Sequence, residues 1–430
     1  MIELKEFWMA VGAGEPTWWS NLRREAYDKF SSLGFPTTHH EDWKYTNVSP
    51  IARTVFEPGG LASADLCSPL VNLGCDVRLV FVNGHFSRGL SSLDRLPAGV
   101  SAGSLAERLR EGSAALEAHL ARYARFDDHA FVALNTAFAE DGAFVEIARN
   151  AVLEKPIHLV FLSVPDGKPT VSHPRTLVLA GRGSQASVIE THIGPEGAVY
   201  FTNAVTEIVV GEGAIFDHYK LQKEGEQAFH VATIQAVQDR GSVWTSHNVS
   251  LGAALARHDV NSVLDEQGAE CYLNGLFAAT GRQHVDNHSL LDHAKPHCTS
   301  RELYKGILSG HATGVFNGKI VVRKDAQKTN AIQSSKNLLL SGDAVINTKP
   351  QLEIFADDVR CTHGATVGQL DKEALFYMQS RGIEAAEARD LLTYAFVGEL
   401  LDRMRWEPVR APLEAELYRI LSRSREGGPQ

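Results

Sequence analysis

One short pattern recurs in the middle of the chain, and it limits the fold more than any other feature. Gly183-Ser184-Gln185-Ala186 returns as Gly213-Ala214-Ile215-Phe216, Gly241-Ser242-Val243-Trp244 and Gly268-Ala269-Glu270-Cys271, at spacings of 30, 28 and 27 residues. Each unit opens with Gly and a small residue, and its fourth position is an inward-looking slot. An apolar residue stands four places before each Gly: Leu179, Val209, Val237 and Leu264. From about Phe144 onward, short runs of Val, Ile, Thr and Phe are punctuated by Gly, as strands and turns require. A repeat of this length cannot bury its apolar face alone. Stacked on copies of itself it builds a continuous core, as in a β-solenoid. An antiparallel sandwich with evenly spaced hairpins is the alternative the spacing leaves open.

The flanks read as helical, which divides the chain into units at 1–143, 144–368 and 369–430. In the first unit Pro16 opens a helix carrying Trp18, Trp19, Leu22, Ala26 and Phe30, ended by Gly34-Phe35-Pro36. Thr38-His39-His40-Glu41 has the form of a capping box. Ser104 heads a helix to about Tyr123, with Leu105, Leu109, Leu116 and Leu120 on one side, and Phe131–Ala139 is a further short helix. Arg78–Asn83 is strand-like and precedes a turn at Asn83-Gly84. In the last unit Asp371–Arg381 and Ala385–Met404 are helices separated by Gly382, and Arg423–Gln430 is expected to fray. Leu392, Phe396, Leu400 and Met404 form one apolar row on the longer helix. Leu391, Tyr394, Val397 and Leu401 form a second. Such a helix is buried on two sides or offers one side to a partner.

Composition excludes several functions. Lys plus Arg number 42 and Asp plus Glu 52, a formal net charge of −10, which argues against nucleic acid and anionic membranes as partners. The longest apolar runs, such as Ile157–Val164, fall far short of the roughly 20 residues that span a bilayer. Acids in Met1-Ile2-Glu3-Leu4-Lys5-Glu6 are unlike a signal peptide, so a cytoplasmic location is expected. The five cysteines, Cys67, Cys75, Cys271, Cys298 and Cys361, are scattered, and no Cys-x-x-Cys occurs. Neither a phosphate-binding P-loop nor a Gly-x-Ser-x-Gly elbow is present, so no ATP site of that kind belongs to this chain.

Two groups are possible metal ligands. His284, His288, His293 and His297 with Cys298 form the densest cluster. On a helix or on a strand His284 and His288 share a face, but the glutamate expected beside the first His of a zinc hydrolase is Val285. Cys361 and His363, in Asp357-Asp358-Val359-Arg360-Cys361-Thr362-His363-Gly364, point to one side of an extended strand and supply a sulfur and an imidazole together. Two ligands make half a site. Cys271 fills the inward slot of its repeat and reads as core. Cys67 and Cys75 are given no role. A carbohydrate-active β-helix enzyme is the rival reading, but it needs paired carboxylates, and Asp357 and Asp358 face opposite sides of a strand.

The C-terminal half carries a longer signature. Phe316-Asn317-Gly318-Lys319-Ile320 leads to Ala326-Gln327-Lys328-Thr329-Asn330-Ala331, Asn337-Leu338-Leu339-Leu340-Ser341, Thr348-Lys349-Pro350-Gln351-Leu352-Glu353-Ile354 and Ala356–Thr366. This run closely resembles the SufB/SufD family of iron–sulfur cluster assembly proteins. Glu41-Asp42-Trp43-Lys44-Tyr45-Thr46 and the chain length resemble its SufD branch. The resemblance implies a mainly β fold with flanking helices: a right-handed parallel β-helix between N-terminal and C-terminal helical domains. It implies a scaffold subunit without turnover of its own, paired through the β-helix with a SufB-like paralogue. A SufC-like ATPase would dock on the C-terminal helices, where Leu392, Phe396, Leu400 and Met404 are the candidate contacts. His363, with Cys361 as a weaker companion, is the implied half-site for a transient iron–sulfur cluster or iron shared with the partner. A homodimer is the remaining possibility for the isolated chain.

Overall fold

The computed structural model describes residues 14–62 and 68–426, and side chains as far as residue 420. Cys67 and Met1–Glu6 lie outside the described residues. Within them the chain winds into a two-sided solenoid. One sheet runs through Arg175–Ala180, Tyr200–Val210, Phe229–Gln238, Leu255–Leu264, His284–His293 and Thr313–Val322. The other runs through Gln185–Ile193, Ile215–Lys223, Val243–Ser250, Glu270–Ala279, Thr299–Leu308, Asn330–Leu339 and Arg360–Gly368. Consecutive strands of the chain alternate between the sheets, and neighbours within each sheet pair in parallel. That pairing excludes the antiparallel sandwich.

The repeat glycines are turn residues. Gly183, Gly213, Gly241 and Gly268 have φ of 65°, 65°, 58° and 74°, a region that costs an L side chain energy. The series continues through His297 at φ 61° and Lys328 at φ 62°, two more turns that the Gly pattern did not reveal. The fourth positions, Ala186, Phe216, Trp244 and Cys271, stack rung on rung in register and are buried, as expected. Each large member of that column contributes about 1.5–3 kcal/mol through apolar burial. The preceding apolar positions are less regular. Leu179, Val209 and Val237 align, but Val237 pairs with Val263 rather than Leu264. The shorter last spacing slips the register by one residue, which turns Leu264 into the core while the others stay half-buried.

The N-terminal region combines helices with a few short strands. Helix Thr17–Leu33 follows Pro16 and buries Trp19, Ala26 and Phe30. The expected helix from Ser104 to Tyr123 is two: Ser104 caps Leu105–Glu111, Gly112 ends it in the left-handed conformation, and Ser113 caps Ala114–His119. The capping box at Thr38 does not form; Thr37 bonds His40 instead, ahead of a single turn at Glu41–Trp43. Strand Val77–Val82 joins the solenoid in parallel with Ile157–Leu162. Asn83 and Gly84, both at positive φ, then turn the chain.

After Gly368 come helices Lys372–Ser380, Ala385–Leu401 and Glu407–Glu426. The third helix includes residues 423–426, and the rest of the tail expected to fray, 427–430, lies outside the described residues. No described helix is long and apolar enough to cross a membrane.

Candidate functional site

The solenoid ends in strand Arg360–Gly368, which pairs on one edge with Asn330–Leu339 and closes the strand order of its sheet. Its other edge joins no ladder among the described residues, so its backbone donors and acceptors face outward. In-register stacking sets Cys361 over Ala331 and His363 over Gln333. Ala331 and Gln333 are buried and look into the lumen, so Cys361 and His363 crown a lumen-facing column at its open end. Cys361 is half-buried against the core, and burial pushes its thiol above the ordinary value, against a weaker effect from the Ala331 amide. His363 is exposed.

The signature residues build this end. Gln333 Nε2 donates to Glu302 Oε2 at 2.8 Å on the rung below. Gly318 makes room for that amide, because a Cβ there would lie 1.8 Å from Gln333 Nε2. Burial pushes the Glu302 carboxyl up to about 7, so near neutrality it is substantially protonated. The turns stack as well. Lys328 N–H donates to the Asp358 carbonyl at 2.7 Å, Asp358 N–H donates to Gln327 Oε1 at 2.9 Å, and Lys328 pairs with the Asp358 carboxylate. Asp358 therefore locks a turn and does not join Asp357 in a carboxylate pair.

The histidine cluster comes apart. His284 and His288 share one face of strand His284–His293, and His293 lies on the other, bonded to Ser300 at 2.9 Å. His297 is a turn residue. The first two belong to a seam that seats the Glu41–Thr46 segment. Thr46 Oγ1 donates to Asp286 Oδ2 at 2.6 Å and contacts His284 Nε2 at 2.9 Å. Arg257 reaches Asp286 at 2.9 Å and the Asp42 carbonyl at 2.6 Å, with its guanidinium 3.8 Å over the Trp43 ring. Burial would raise the Asp286 carboxyl, but His288 and Arg257 outweigh it and hold it well below the usual range. Among the described residues no group of three or more His, Cys, Asp and Glu side chains is placed to hold a metal ion.

The C-terminal row needs correction. Leu400 and Met404 are 1% and 2% exposed, packed with Val397 and Leu401 against Tyr219, Val249, Leu276 and Ile307 of the chain's own solenoid. Leu392 is half-buried. Phe396 packs on the same cluster, and its carbonyl accepts from Lys305 Nζ at 2.7 Å. Trp406 adds a 2.7 Å bond to the Leu73 carbonyl. The row is the seam that binds the last helices to the solenoid, because the second apolar face found its partner within the chain. The most exposed apolar side chains of these helices lie one helix earlier: Phe376 is 72% exposed and Tyr377 59%, against 39% for Leu391.

Sequence reasoning also missed a polar core. Lys220 is fully buried, with Nζ 2.6 Å from His230 Nε2 and 3.3 Å from His258 Nδ1. His230 Nδ1 lies 2.7 Å from Glu224. Lys220 occurs in an alternating strand, Phe216, His218, Lys220 and Gln222, whose inward parity was the available signal.

The parallel solenoid thus leaves the outer edge of its last strand without a ladder among the described residues, and carries a thiol and an imidazole on that strand. The matching families give the class of protein. Residues 162–396 match the model described as SUF system FeS cluster assembly, SufBD core domain, and residues 9–159 match the SufBD protein N-terminal region. An iron–sulfur cluster assembly SufBD family protein of Synechocystis sp. is 37% identical over 93% of this chain and 90% of its own. The iron–sulfur cluster assembly protein SufD of Escherichia coli is 31% identical over 95% of each chain, and SufD of Bacillus subtilis is 25% identical over 94% of each. The chain belongs to the SufBD family of iron–sulfur cluster assembly proteins, as a homologue of SufD.

Proposed function

We propose that this chain is a scaffold subunit with no turnover of its own, contributing one half of a site where an iron–sulfur cluster is assembled. The observation that carries this reading is the terminal rung: a strand with one free edge, an exposed imidazole at His363 and a half-buried thiol at Cys361. A second chain, a SufB-like paralogue, would pair along Arg360–Gly368 and bring the remaining ligands. The iron and sulfide are cargo here. Neutral imidazole offers a nitrogen lone pair to iron, so acid should weaken the hold. A site divided between chains opens when the chains move, which suits a product that must leave. The motion would be driven by a separate SufC-like ATPase docked on the C-terminal helices. The exposed pair Phe376 and Tyr377 is the better candidate contact, since Leu400 and Met404 are occupied.

The test is His363→Ala in cells that depend on this pathway, with the complex then purified anaerobically. Cluster-enzyme maturation and complex-bound iron and sulfide should fall, with the partners still co-purifying. Full maturation in that variant would refute the role. For the ATPase contact, Phe376→Asp should lose the ATPase from a pull-down while the paralogue is retained.

A further inference from the structure

A cleft of about 520 Å³ lies between the outer face of the second sheet and the last turn of helix Ala385–Leu401 with the segment after it. Arg301 and Lys336 stand on its floor, and Arg403 and Arg405 on its wall. In a chain of net charge −10 this is a local concentration of cations. Most have carboxylate company: Arg403 meets Glu399 at 3.0 Å, Lys336 meets it at 3.7 Å, and Arg405 meets Asp217 at 3.4 Å. Glu302 also borders the cleft, but its carboxyl accepts from Gln333.

Arg301 differs. Its Nη1 donates to the carbonyls of Ser300 and Asn330, both at 2.8 Å, which pins the guanidinium across two rungs. No carboxylate lies within ion-pair distance of it among the described residues. A half-buried, fixed guanidinium whose charge is uncompensated has its remaining donors preset for oxygens of an anion. Tyr272 and Ile332 give the floor an apolar share, and the volume is that of a small-molecule site.

We propose that this cleft binds a small polyanion carrying two or more neighbouring oxyanion groups, with Arg301 as the anchor and Lys336 and Arg403 as flanking contacts. The site lies on the outer face of the sheet, beside the terminal rung, since its floor residues Ile332, Ser334 and Lys336 belong to the strand that pairs with Arg360–Gly368, and it does not depend on the reading of His363. Phosphate and carboxylate groups share the required chemistry, and the experiment separates them.

Calorimetric titration of the full chain with pyrophosphate, and separately with citrate, reads the site directly. Saturable binding of at least one anion is expected, and the tighter of the two assigns the oxyanion. Arg301→Gln should weaken binding at least tenfold, while Arg24→Gln on the exposed face of the first helix leaves it unchanged. Because Arg301 also ties two rungs together, a Lys336→Gln/Arg403→Gln double variant provides the same test without touching those ties, again with at least a tenfold loss. No saturable binding of either anion, or unchanged binding in both cleft variants, overturns the proposal.

Discussion

The buried pair Arg175–Glu207 makes a sharp test of how the N-terminal region is held to the solenoid. Both side chains are 0% exposed, and Arg175 Nη2 lies 2.8 Å from Glu207 Oε2. Glu207 also accepts backbone N–H bonds from Ala121, Tyr123 and Ala124 at 2.8, 2.8 and 3.0 Å. Arg175 Nη1 donates to Asn135 Oδ1 and Thr136 Oγ1. Arg175→Met leaves a buried carboxylate with amide donors but no cation, and two acceptors lose their donor. Breaking such a pair costs about 3–5 kcal/mol. Unfolding entropy is about 2.1 cal/mol/K per residue, so for 430 residues this loss lowers the melting midpoint by about 3–6 °C. Calorimetry reads the shift, and limited proteolysis should find new cleavage near residues 120–128. Adding Glu207→Gln removes the uncompensated charge while one oxygen still accepts, and should recover about half of the loss. A single variant melting within about 1 °C of the parent would refute the account, as would a double variant no better than the single.

Acid should destabilise the chain below its histidine range. Burial depresses His158 and His247 to about 3 and His293 to about 4, so their stabilisation is complete above the unfolded value of 6.5 and is lost as pH falls toward the folded ones. From pH 7 to 5 each costs about 2 kcal/mol, and His173, likewise depressed to about 3 by burial, adds as much again; Glu302, raised to about 7, takes up its proton in the folded state and offsets about 2, so the balance is a loss of stability. A denaturant midpoint that stays flat between those pH values would contradict this. Gly318→Ala should push the Gln333 amide off Glu302, cost about 1–3 kcal/mol and lower bound iron and sulfide in the complex, whereas a neutral outcome would detach Gly318 from the site. Leu400→Asp should release the last helices from the solenoid, seen as faster proteolysis within 385–426, because it places a charge in a seam 1% exposed.

The solenoid was legible because its turns need positive φ, and glycine marks that need where it is used. Where His297 and Lys328 take the same conformation, the mark is gone and the repeat fades from view. Cys271 was legible as core because parity within a strand is a local property. The histidine cluster was not. Spacing along a strand says which side chains share a face, but not that Thr46, from more than two hundred positions away, would come to lie against Asp286 and His284.

The apolar rows of Ala385–Leu401 show the same boundary. Sequence alone determined that the helix had two faces to cover, since burial of apolar surface is owed wherever such rows occur. Only the tertiary structure decided that the chain's own sheet covers Leu400 and Met404, leaving Phe376 and Tyr377 in solvent. Likewise the Cys-x-His pair and its parity were set by the residues themselves. That they stand on the last rung, beside an unpaired edge, depended on where the winding stops, which is a property of all the stacked turns together and of no single one.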